Sequence, residues 1–463
     1  MKIRLYLFLL FIPLSFILAQ EKSINKGFMV NQKQRMYING ISGLDLKIIG
    51  WDKNEAWINV KVKVNSSDTE YGKEYLRNFD VAYKAESGDV IIDFIETPKK
   101  GGWSIFDIFK GDFKYSFSKE ISGEIYLPKS VLLIAEFKYS NILFAGLDEF
   151  LELKGKGNKY TIKECGNIAG ISNEYGEVAI SRSSGKLNAA LNLSPIDIDD
   201  FEGSAKINSN GASVNVNRFK GTLYINSYNS KGIVEGVSGE TVLVSELSEF
   251  TFKKSGGVLQ IYDKLSDIKV YDADGFKLEG YKTNLSAEGI TSKAKEKVFI
   301  TTKYGNYKFT NSTGAFFIDD EHSTFTLTTI NGPVYYSAAN SKLTGNGIKG
   351  DWKSDTKFSE VTLLNISAQK IEAAGIGKLF KGIITNNPKK VEIKNADADV
   401  SLTLSKDIKT SVFLTARQGN LSTDFSIHID KEGSVSKGAE RINGGGAVIS
   451  IETRNGDISL KKQ

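Results

Sequence analysis

The sequence contains very little cysteine, histidine and proline. Of its 463 residues, one is Cys, two are His and six are Pro. A single Cys excludes an internal disulfide framework and a cysteine-based zinc site, and two His argue against a multi-histidine metal centre. The low proline count, beside 44 Gly, excludes a proline-rich or collagen-like chain and fits many tight turns. We expect no metal and no other cofactor.

The charge is also small, with 60 Lys and Arg against 55 Asp and Glu. Residues 1–19 have the order of a secretory signal: basic Lys2 and Arg4, an apolar run from Leu5 to Leu18, and the small Ala19. The run is short for a membrane span of ~20 residues, and no Cys lies nearby to carry a lipid. Cleavage would remove two basic residues and leave the charges nearly balanced, which argues against a nucleic-acid partner.

Small residues recur every nine positions between Gly176 and Gly275. From Gly185 onward every second one is Gly and the others are Ser or Ala, so the period is 18 and contains two similar halves. Two and four residues after each small residue the chain is mostly apolar, with a mostly polar residue between. This alternation is typical of strands with one buried face. Leu223 and Ile225 should therefore be buried, in the same column as residues 259 and 261.

The frame extends back to Leu133, fails at positions 277 and 279, and resumes at Val298 three residues out of phase. We expect the three extra residues to form a bulge or longer loop near Tyr281–Gly289.

The pattern predicts an all-β fold: a single elongated parallel β-solenoid (β-helix) with ~18-residue coils, capped by irregular N-terminal strands. A left-handed hexapeptide helix needs an apolar residue every six positions, and the series Leu187, Leu193, Asp199 breaks that step. A calcium-binding β-roll needs Asp at regular positions in its turns, and this sequence lacks such Asp residues. The predicted segments are a signal peptide (1–19), capping strands (20–128), the regular solenoid (129–367, phase break near 276–297), an irregular excursion (368–395) and C-terminal β coils (396–463).

Three stretches support a resemblance to a known family. They are Ile38-Asn-Gly-Ile-Ser-Gly-Leu-Asp-Leu with Gly50-Trp-Asp-Lys-Asn-Glu, Ile125-Tyr-Leu-Pro-Lys-Ser with Tyr139-Ser-Asn-Ile, and Gly444-Gly-Gly-Ala-Val-Ile-Ser-Ile-Glu-Thr-Arg-Asn-Gly-Asp-Ile-Ser-Leu. The chain resembles the bacterial "putative adhesin" β-helix family of unknown function. The resemblance implies an exported parallel β-solenoid and implies no catalytic residues.

Carboxylates of a solenoid enzyme would stack one coil apart, on neighbouring coils. At that step Asp197 faces Asn215 and Asp199 faces Asn217, so neither gains the second acid of a paired-carboxylate mechanism. Arg182, Asp200 and Arg218 form a column that fits a surface ion-pair ladder better than a lyase site. Similar surface pairs are expected for Glu235 with Lys253 and for Glu246 with Lys264.

The remaining candidates have plain structural interpretations. Cys165 lacks a histidine in frame and is expected to be an unpaired structural thiol. Asp319-Asp320-Glu321-His322 is expected to be a solvated turn, and His428 to lie on the outer face of a strand. The aromatic stretch 103–117 is expected to pack in the cap. Four outward tyrosines could stack on sugars: Tyr224, Tyr228, Tyr262 and Tyr271.

The sequence thus predicts an exported, non-catalytic, adhesin-like scaffold or binding protein without catalytic, cofactor or metal residues. It would reside in the periplasm, on the outer cell surface or outside the cell, with no transmembrane segment after cleavage. A glycan or another envelope component is the expected kind of partner. The alternative is a carbohydrate-active β-helix enzyme, a polysaccharide lyase or hydrolase.

Overall fold

The computed structural model describes residues 19–96, 117–292 and 297–463. The predicted signal peptide lies almost entirely outside the described residues. The described chain is nearly all β, with about 15 solenoid turns at a spacing near 18 residues. The predicted fold class, a parallel β-solenoid, is confirmed. The chain divides into two compact units, Met1–Ser184 and Gly185–Gln463.

The first unit pairs its strands in two parallel stacks. In one stack β2 pairs with β8, β8 with β10 and β10 with β12; in the other, β3 pairs with β9, β9 with β11 and β11 with β13. The strands are β1 Ala19–Met29, β2 Arg35–Ser42, β3 Leu44–Trp51, β4 Glu55–Ser66, β5 Asp80–Glu86, β6 Asp89–Ile95, β7 Phe117–Pro128, β8 Leu132–Lys138, β9 Asn141–Ala145, β10 Leu151–Lys156, β11 Lys159–Lys163, β12 Asn167–Glu174 and β13 Glu177–Asn192, which runs past the boundary of the unit.

The first coil is covered by strands and by one helix that the sequence pattern did not predict. Strand β6 pairs with β2, and β7 pairs with β3, in each case on the side away from the next coil. Strand β4 lies between β7 and β1 and pairs with both in antiparallel fashion. Helix α1 (Thr69–Asn78) begins after Asp68, whose carboxylate accepts from two backbone N–H groups of the first turn. Among the described residues, no helix is long and apolar enough to cross a membrane.

The second unit is also built of two-strand coils. Its strands are β14 Ile196–Asn210, β15 Ser213–Tyr228, β16 Lys231–Val237, β17 Thr241–Glu246, β18 Glu249–Ser255, β19 Leu259–Lys264, β20 Asp267–Asp274, β21 Phe276–Thr291, β22 Val298–Thr313, β23 Phe316–Asn331, β24 Val334–Ala339, β25 Lys342–Lys349, β26 Trp352–Lys357, β27 Glu360–Ile366, β28 Lys370–Ile376, β29 Phe380–Ile384, β30 Lys390–Ala396, β31 Val400–Leu404, β32 Thr410–Arg417, β33 Leu421–Thr423, β34 Ile429–Glu432, β35 Val435–Ile442, β36 Ala447–Arg454 and β37 Ile458–Lys462.

The predicted core columns are buried. Leu223 pairs in register with Thr241, which pairs with Leu259, and Ile225 is joined to Ile261 in the same way. All of these side chains are fully enclosed. The inward face is therefore continuous from coil to coil, as the alternation of apolar residues indicated.

The phase break lies within the predicted segment 276–297, but the bulge or loop expected near Tyr281–Gly289 is wrong. Leu259 pairs with Phe276, so the step between these coils is one residue shorter than the regular period. Lys277 pairs with Phe299, so the next step is four residues longer than the regular period. Segment 281–289 lies inside the continuous strand β21. The extra residues therefore fall between the end of β21 and the start of β22, where a longer connection leaves the paired strands undisturbed.

Segment 368–395 is not an irregular excursion. It contains β28 and β29, which pair in parallel with β26 and β27 before them and with β30 and β31 after them. Each step between these coils is one or two residues longer than the regular period. That small change is enough to hide the repeat in the sequence while the coil itself persists.

The C-terminal segment does not simply follow in order. Strands β36 and β37 pair in parallel with β30 and β31, far earlier in the sequence, and β32 and β33 pair on the other side of β36 and β37. The chain thus forms an outer coil first and then returns to fill the place between. Strand β35 covers β32 in antiparallel fashion, and β34 pairs with β35.

The corners use two different devices. At one corner, a residue with positive φ precedes each serine, as at Asn229 (φ 49°) before Ser230 and Leu247 (φ 53°) before Ser248. At the other corner Gly221 has a φ of 132°, and a methyl group placed on it would overlap the carbonyl oxygen of Gly203. The glycine series is therefore required by the close stacking of successive corners.

Candidate functional site

Three outward columns of the second unit form a groove along the coils. Alternate residues of a strand point to the same face, and the parallel register repeats each position from β22 to β23, β24 and β26. The aromatic wall is Phe299, Phe317 and Tyr335. The polar floor is Thr301, Asp319, Ser337 and Asp355. The charged wall is Lys303, Glu321 and Lys357.

The aromatic wall is an exposed stack of rings. The centroids of Phe299 and Phe317 lie 5.5 Å apart at an interplanar angle of 30°, and those of Phe317 and Tyr335 lie 4.5 Å apart at 10°. Phe299 is 47% exposed and Tyr335 is 38% exposed. The Lys297 Nζ atom lies 4.7 Å from the centroid of Phe317. The wall therefore presents partly exposed apolar ring surface to the solvent.

The polar floor alternates hydroxyl and carboxylate groups. Thr301, Asp319, Ser337 and Asp355 are all exposed. Among the described residues, no ion pair engages Asp319 or Asp355, whereas Glu279, Glu321 and Glu360 on these coils are each paired with a lysine. The floor thus presents hydrogen-bonding groups at the spacing of the coils, ~4.8 Å.

The charged wall is held by an ion pair. The Lys303 Nζ atom lies 2.8 Å from a Glu321 carboxylate oxygen. This hydrogen bond lowers the pKa of Glu321 and raises the pKa of Lys303. Both groups are consequently charged over a wide pH range.

A buried polar layer lies beneath the charged wall. Asp320 is only 3% exposed, and one of its oxygens accepts from the Thr302 hydroxyl at 2.7 Å. Its other oxygen, Oδ2, has no hydrogen-bond partner among the described residues. Burial, and secondarily the charge of Asp320, raise the pKa of Tyr336. Asp263, in contrast, accepts from Thr283 at 2.6 Å and from the backbone of Ser266 at 3.2 Å.

Two depressions make up the groove. One has a volume of about 650 Å³ and includes the charged wall and Asp320; the other has a volume of about 410 Å³ and includes the aromatic wall. All four floor residues line both depressions. The floor therefore joins them into one trough.

The predicted Arg182, Asp200 and Arg218 column does not form a ladder of ion pairs. Arg182 binds Glu164 at 2.7 Å, and Arg218 binds Asp199. All three members of the column have positive φ at a corner, as does Glu164 one coil earlier. Arg182 therefore finds its partner in the preceding coil of the same column, and Asp200 has no ion pair among the described residues. Asp197 and Asp199 do face Asn215 and Asn217, and they accept hydrogen bonds from those amides.

The other charge pairs are close to their predicted places. Glu246 pairs with Lys264 at 3.8 Å, as expected. Glu235 stands in register with Lys253, but its ion pair is with Lys254 at 3.4 Å. The pair shifts by one residue because Lys254 lies at a corner with positive φ.

Cys165 is a buried free thiol that substitutes for a corner serine. Its backbone N–H donates to the Ser183 hydroxyl at 3.2 Å, and its Sγ atom donates to the Lys163 carbonyl at 3.4 Å. Burial raises the pKa of Cys165 to about 11. His428 is exposed as predicted, but it lies just before β34 and pairs with Asp430.

The four-residue acidic segment is only partly a solvated turn. His322 has a φ of 61° and stacks on Tyr304 at 4.9 Å, as a corner residue would. Asp320 is buried because it continues the inward series of Phe316 and Ile318 along β23, which corrects the interpretation of the whole segment as solvated. Asp319 and Glu321 belong to the floor and the charged wall, so this segment lies at the centre of the groove.

The sugar-stacking candidates named from the sequence are scattered. Among the described residues, no ring contact joins Tyr224, Tyr228, Tyr262 and Tyr271. Most of the aromatic stretch 103–117 lies outside the described residues, although Phe117 packs edge-on against Tyr71 and Tyr75 in the cap. The aromatic wall was missed, yet its three rings follow one another at the coil period and could have been found by reading outward positions beyond the phase break.

Comparison with known proteins gives a likeness of structure alone. No family model matches the chain, and no curated protein matches it. Among solved structures, a crystal structure of a "putative cell adhesion protein" from Clostridium sporogenes ATCC 15579 is similar, with 11% sequence identity and a TM-score of 0.16. The match covers 96% of this chain and 100% of that chain. A likeness of this degree assigns no function.

Proposed function

We propose that the protein is an exported, non-catalytic, adhesin-like scaffold of the cell envelope or surface, and that its groove binds a linear glycan. The family resemblance of its N-terminal, central and C-terminal stretches supports the adhesin-like assignment. The observation that carries the binding role is the alignment of aromatic rings, hydroxyls and carboxylates at one coil spacing.

A linear polymer is the ligand that such a groove fits. Four consecutive coils contribute to the floor, which gives a length of roughly 15 Å at ~4.8 Å per coil. Apolar rings beside a few aligned polar groups are the usual composition of a ligand site. A polymer of sugar units can place apolar ring surface on the wall and hydroxyl groups on the floor.

Two acids of the groove, Glu321 and Asp263, favour binding over catalysis. A general acid needs a raised pKa, so that it holds a proton near neutral pH. Glu321 has a lowered pKa instead, because Lys303 donates to it. Asp263 is occupied by internal hydrogen bonds. The enzyme alternative remains an outcome of the test.

The test is a glycan array probed with the full chain and two double variants. Phe317→Ala with Tyr335→Ala should abolish binding, because it removes two of the three rings of the aromatic wall. The control, Tyr228→Ala with Tyr271→Ala, removes two exposed rings outside the groove and should bind like the unaltered chain. Equal binding by the groove variant would contradict the proposal, as would release of reducing or unsaturated sugar that Asp319→Asn abolishes.

A further inference from the structure

The groove is acidic in a chain whose charges are nearly balanced. Its lining contributes six carboxyl groups, from Asp263, Glu279, Asp319, Asp320, Glu321 and Asp355. Four ammonium groups stand against them: those of Lys303, Lys353 and Lys357 in the lining and that of Lys297 over the Phe317 ring. The full sequence has a formal net charge of +5, which includes Lys2 and Arg4 of the predicted signal peptide. Resting on the glycan-binding function proposed above, we propose that the groove selects a polysaccharide that carries free amino groups.

Asp319 is the carboxylate best placed to meet an ammonium group. Glu321 and Glu279 already pair with lysines, each at 2.8 Å. Asp319 has no ion pair among the described residues, and its neighbours on the floor, Thr301 and Ser337, are uncharged. Its charge therefore faces the groove uncompensated, and a cation there would gain a charge-assisted hydrogen bond.

Asp320 adds a buried carboxyl group beneath the charged wall. A buried carboxylate oxygen without a partner carries a large desolvation cost, and within the described part of the chain the Oδ2 atom of Asp320 is such an oxygen. Asp320 lines the same depression as Asp319. Among the described residues no ion pair engages Asp320, so this depression contains a second carboxyl group that is paired with no lysine.

An organic ammonium group fits better than a metal ion. Among the described residues, no group of three His, Cys, Asp or Glu side chains is placed to hold a metal. A single ammonium needs only one or two carboxylates and can also lie against an aromatic face. The contact of Lys297 with the ring of Phe317 at 4.7 Å is an example within the groove itself.

A polysaccharide fits better than a basic peptide. Peptides commonly bind sheets by adding a strand at a free edge. Strands β22 and β23 are each paired on both sides, and β24 lies between β23 and β26. The backbone of the groove is therefore already hydrogen-bonded, and only side chains remain to bind a ligand.

The experiment compares two oligosaccharides by isothermal titration calorimetry with the full chain. The probes are a β-1,4-linked glucosamine hexamer, with free amino groups, and the N-acetylglucosamine hexamer, in which acetylation removes the charge. At a slightly acidic pH the first should bind about tenfold more tightly than the second, and added salt should reduce the difference.

Three variants separate the contributions of charge and ring surface. Asp319→Asn keeps the shape and removes the charge, so it should bind the glucosamine hexamer about five- to tenfold more weakly and the acetylated hexamer unchanged. Asp200→Asn makes the same change at an exposed corner outside the groove and should behave like the unaltered chain. Tyr335→Ala should weaken the binding of both hexamers.

The possible results separate the two proposals. Equal binding of the two hexamers, or preference for the acetylated one, would overturn the amino-sugar proposal and leave the glycan-binding function standing. If neither hexamer binds, both the amino-sugar proposal and the glycan-binding proposal are overturned for this class of glycan. Tight binding of an arginine-rich peptide with none of the glucosamine hexamer would identify a protein partner and also overturn the proposal.

Discussion

At the scale of single residues, the inward positions have no room for charge. Leu223 is fully enclosed between the corresponding positions of its neighbouring coils. Water cannot reach such a position, so a charged side chain there would lose its hydration without gaining a partner.

Leu223→Asp should therefore lower the free energy of unfolding by several kcal/mol, on the order expected for a buried unpaired charge. Urea denaturation followed by circular dichroism measures this change. Thr222→Asp places the same charge on the adjacent exposed position and should cost little. Comparable stability of the two variants would contradict the assigned faces of β15.

Cys165 provides a pH-dependent prediction. Burial raises its pKa to about 11, so the folded state holds the thiol proton more tightly than the unfolded state does. The associated stability is present below the unfolded pKa, about 8.5, and is lost as the pH rises toward 11. At a pH of about 8, below both pKa values, alkylation should be slow in the native protein and fast in denaturant. Rapid alkylation of the native protein would contradict the buried position.

At the scale of the strand and corner, serine hydroxyls join successive coils. The backbone N–H of Ser230 donates to the Ser248 hydroxyl at 3.2 Å, and that of Ser248 donates to the Ser266 hydroxyl at 2.9 Å. Each hydroxyl in turn donates to a carbonyl two residues earlier in its own coil, as Ser248 does to Glu246. This explains why the small residues alternate between Gly and Ser.

Ser248→Ala should destabilise the protein by about 1–3 kcal/mol, because it leaves a buried backbone N–H without its acceptor. Thermal or urea unfolding gives the value. Ser286→Ala, at an exposed position of β21, is the matched control and should change stability by less than ~0.5 kcal/mol. If both variants behaved alike, the hydroxyl ladder would have no energetic role.

Gly221→Ala tests the other corner. Its methyl group would overlap the carbonyl oxygen of Gly203, so we expect a loss of about 3 kcal/mol or more, or failure to fold. Gly256→Ala is the control, since a methyl group there meets its nearest atom at an ordinary 3.5 Å. Yield of soluble protein and the urea midpoint report the outcome.

At the scale of the whole molecule, the sequence predicts the buried faces of the strands correctly where the step between coils is constant. The regular period predicted the buried faces of Leu223 and Ile261 because each repeats its neighbour's environment. It could not predict the return of β36 to β30, since so long a step leaves no local period. Segment 368–395 was misjudged for a related reason, because a connection longer by one residue shifts every later position.

Only part of the groove can be predicted from the sequence. The regular spacing of Phe299, Phe317 and Tyr335 is visible in the sequence, and so is the acidic segment at Asp319. The burial of Asp320 was not predicted, because a carboxylate is rarely found at an inward position. The floor and wall columns follow from the parallel register of successive strands, but their depth as a trough is not visible in the alternation of polar and apolar residues.

The most direct test of the groove's assigned role is a crystal structure of the full chain with the glucosamine hexamer bound. We predict sugar units along the floor from Thr301 to Asp355, with an ammonium group at Asp319 and ring surface against Phe317 and Tyr335. Sugar bound at another face, for example around Tyr228 and Tyr271, with the groove left unoccupied would contradict the central claim that these aligned columns form the ligand site.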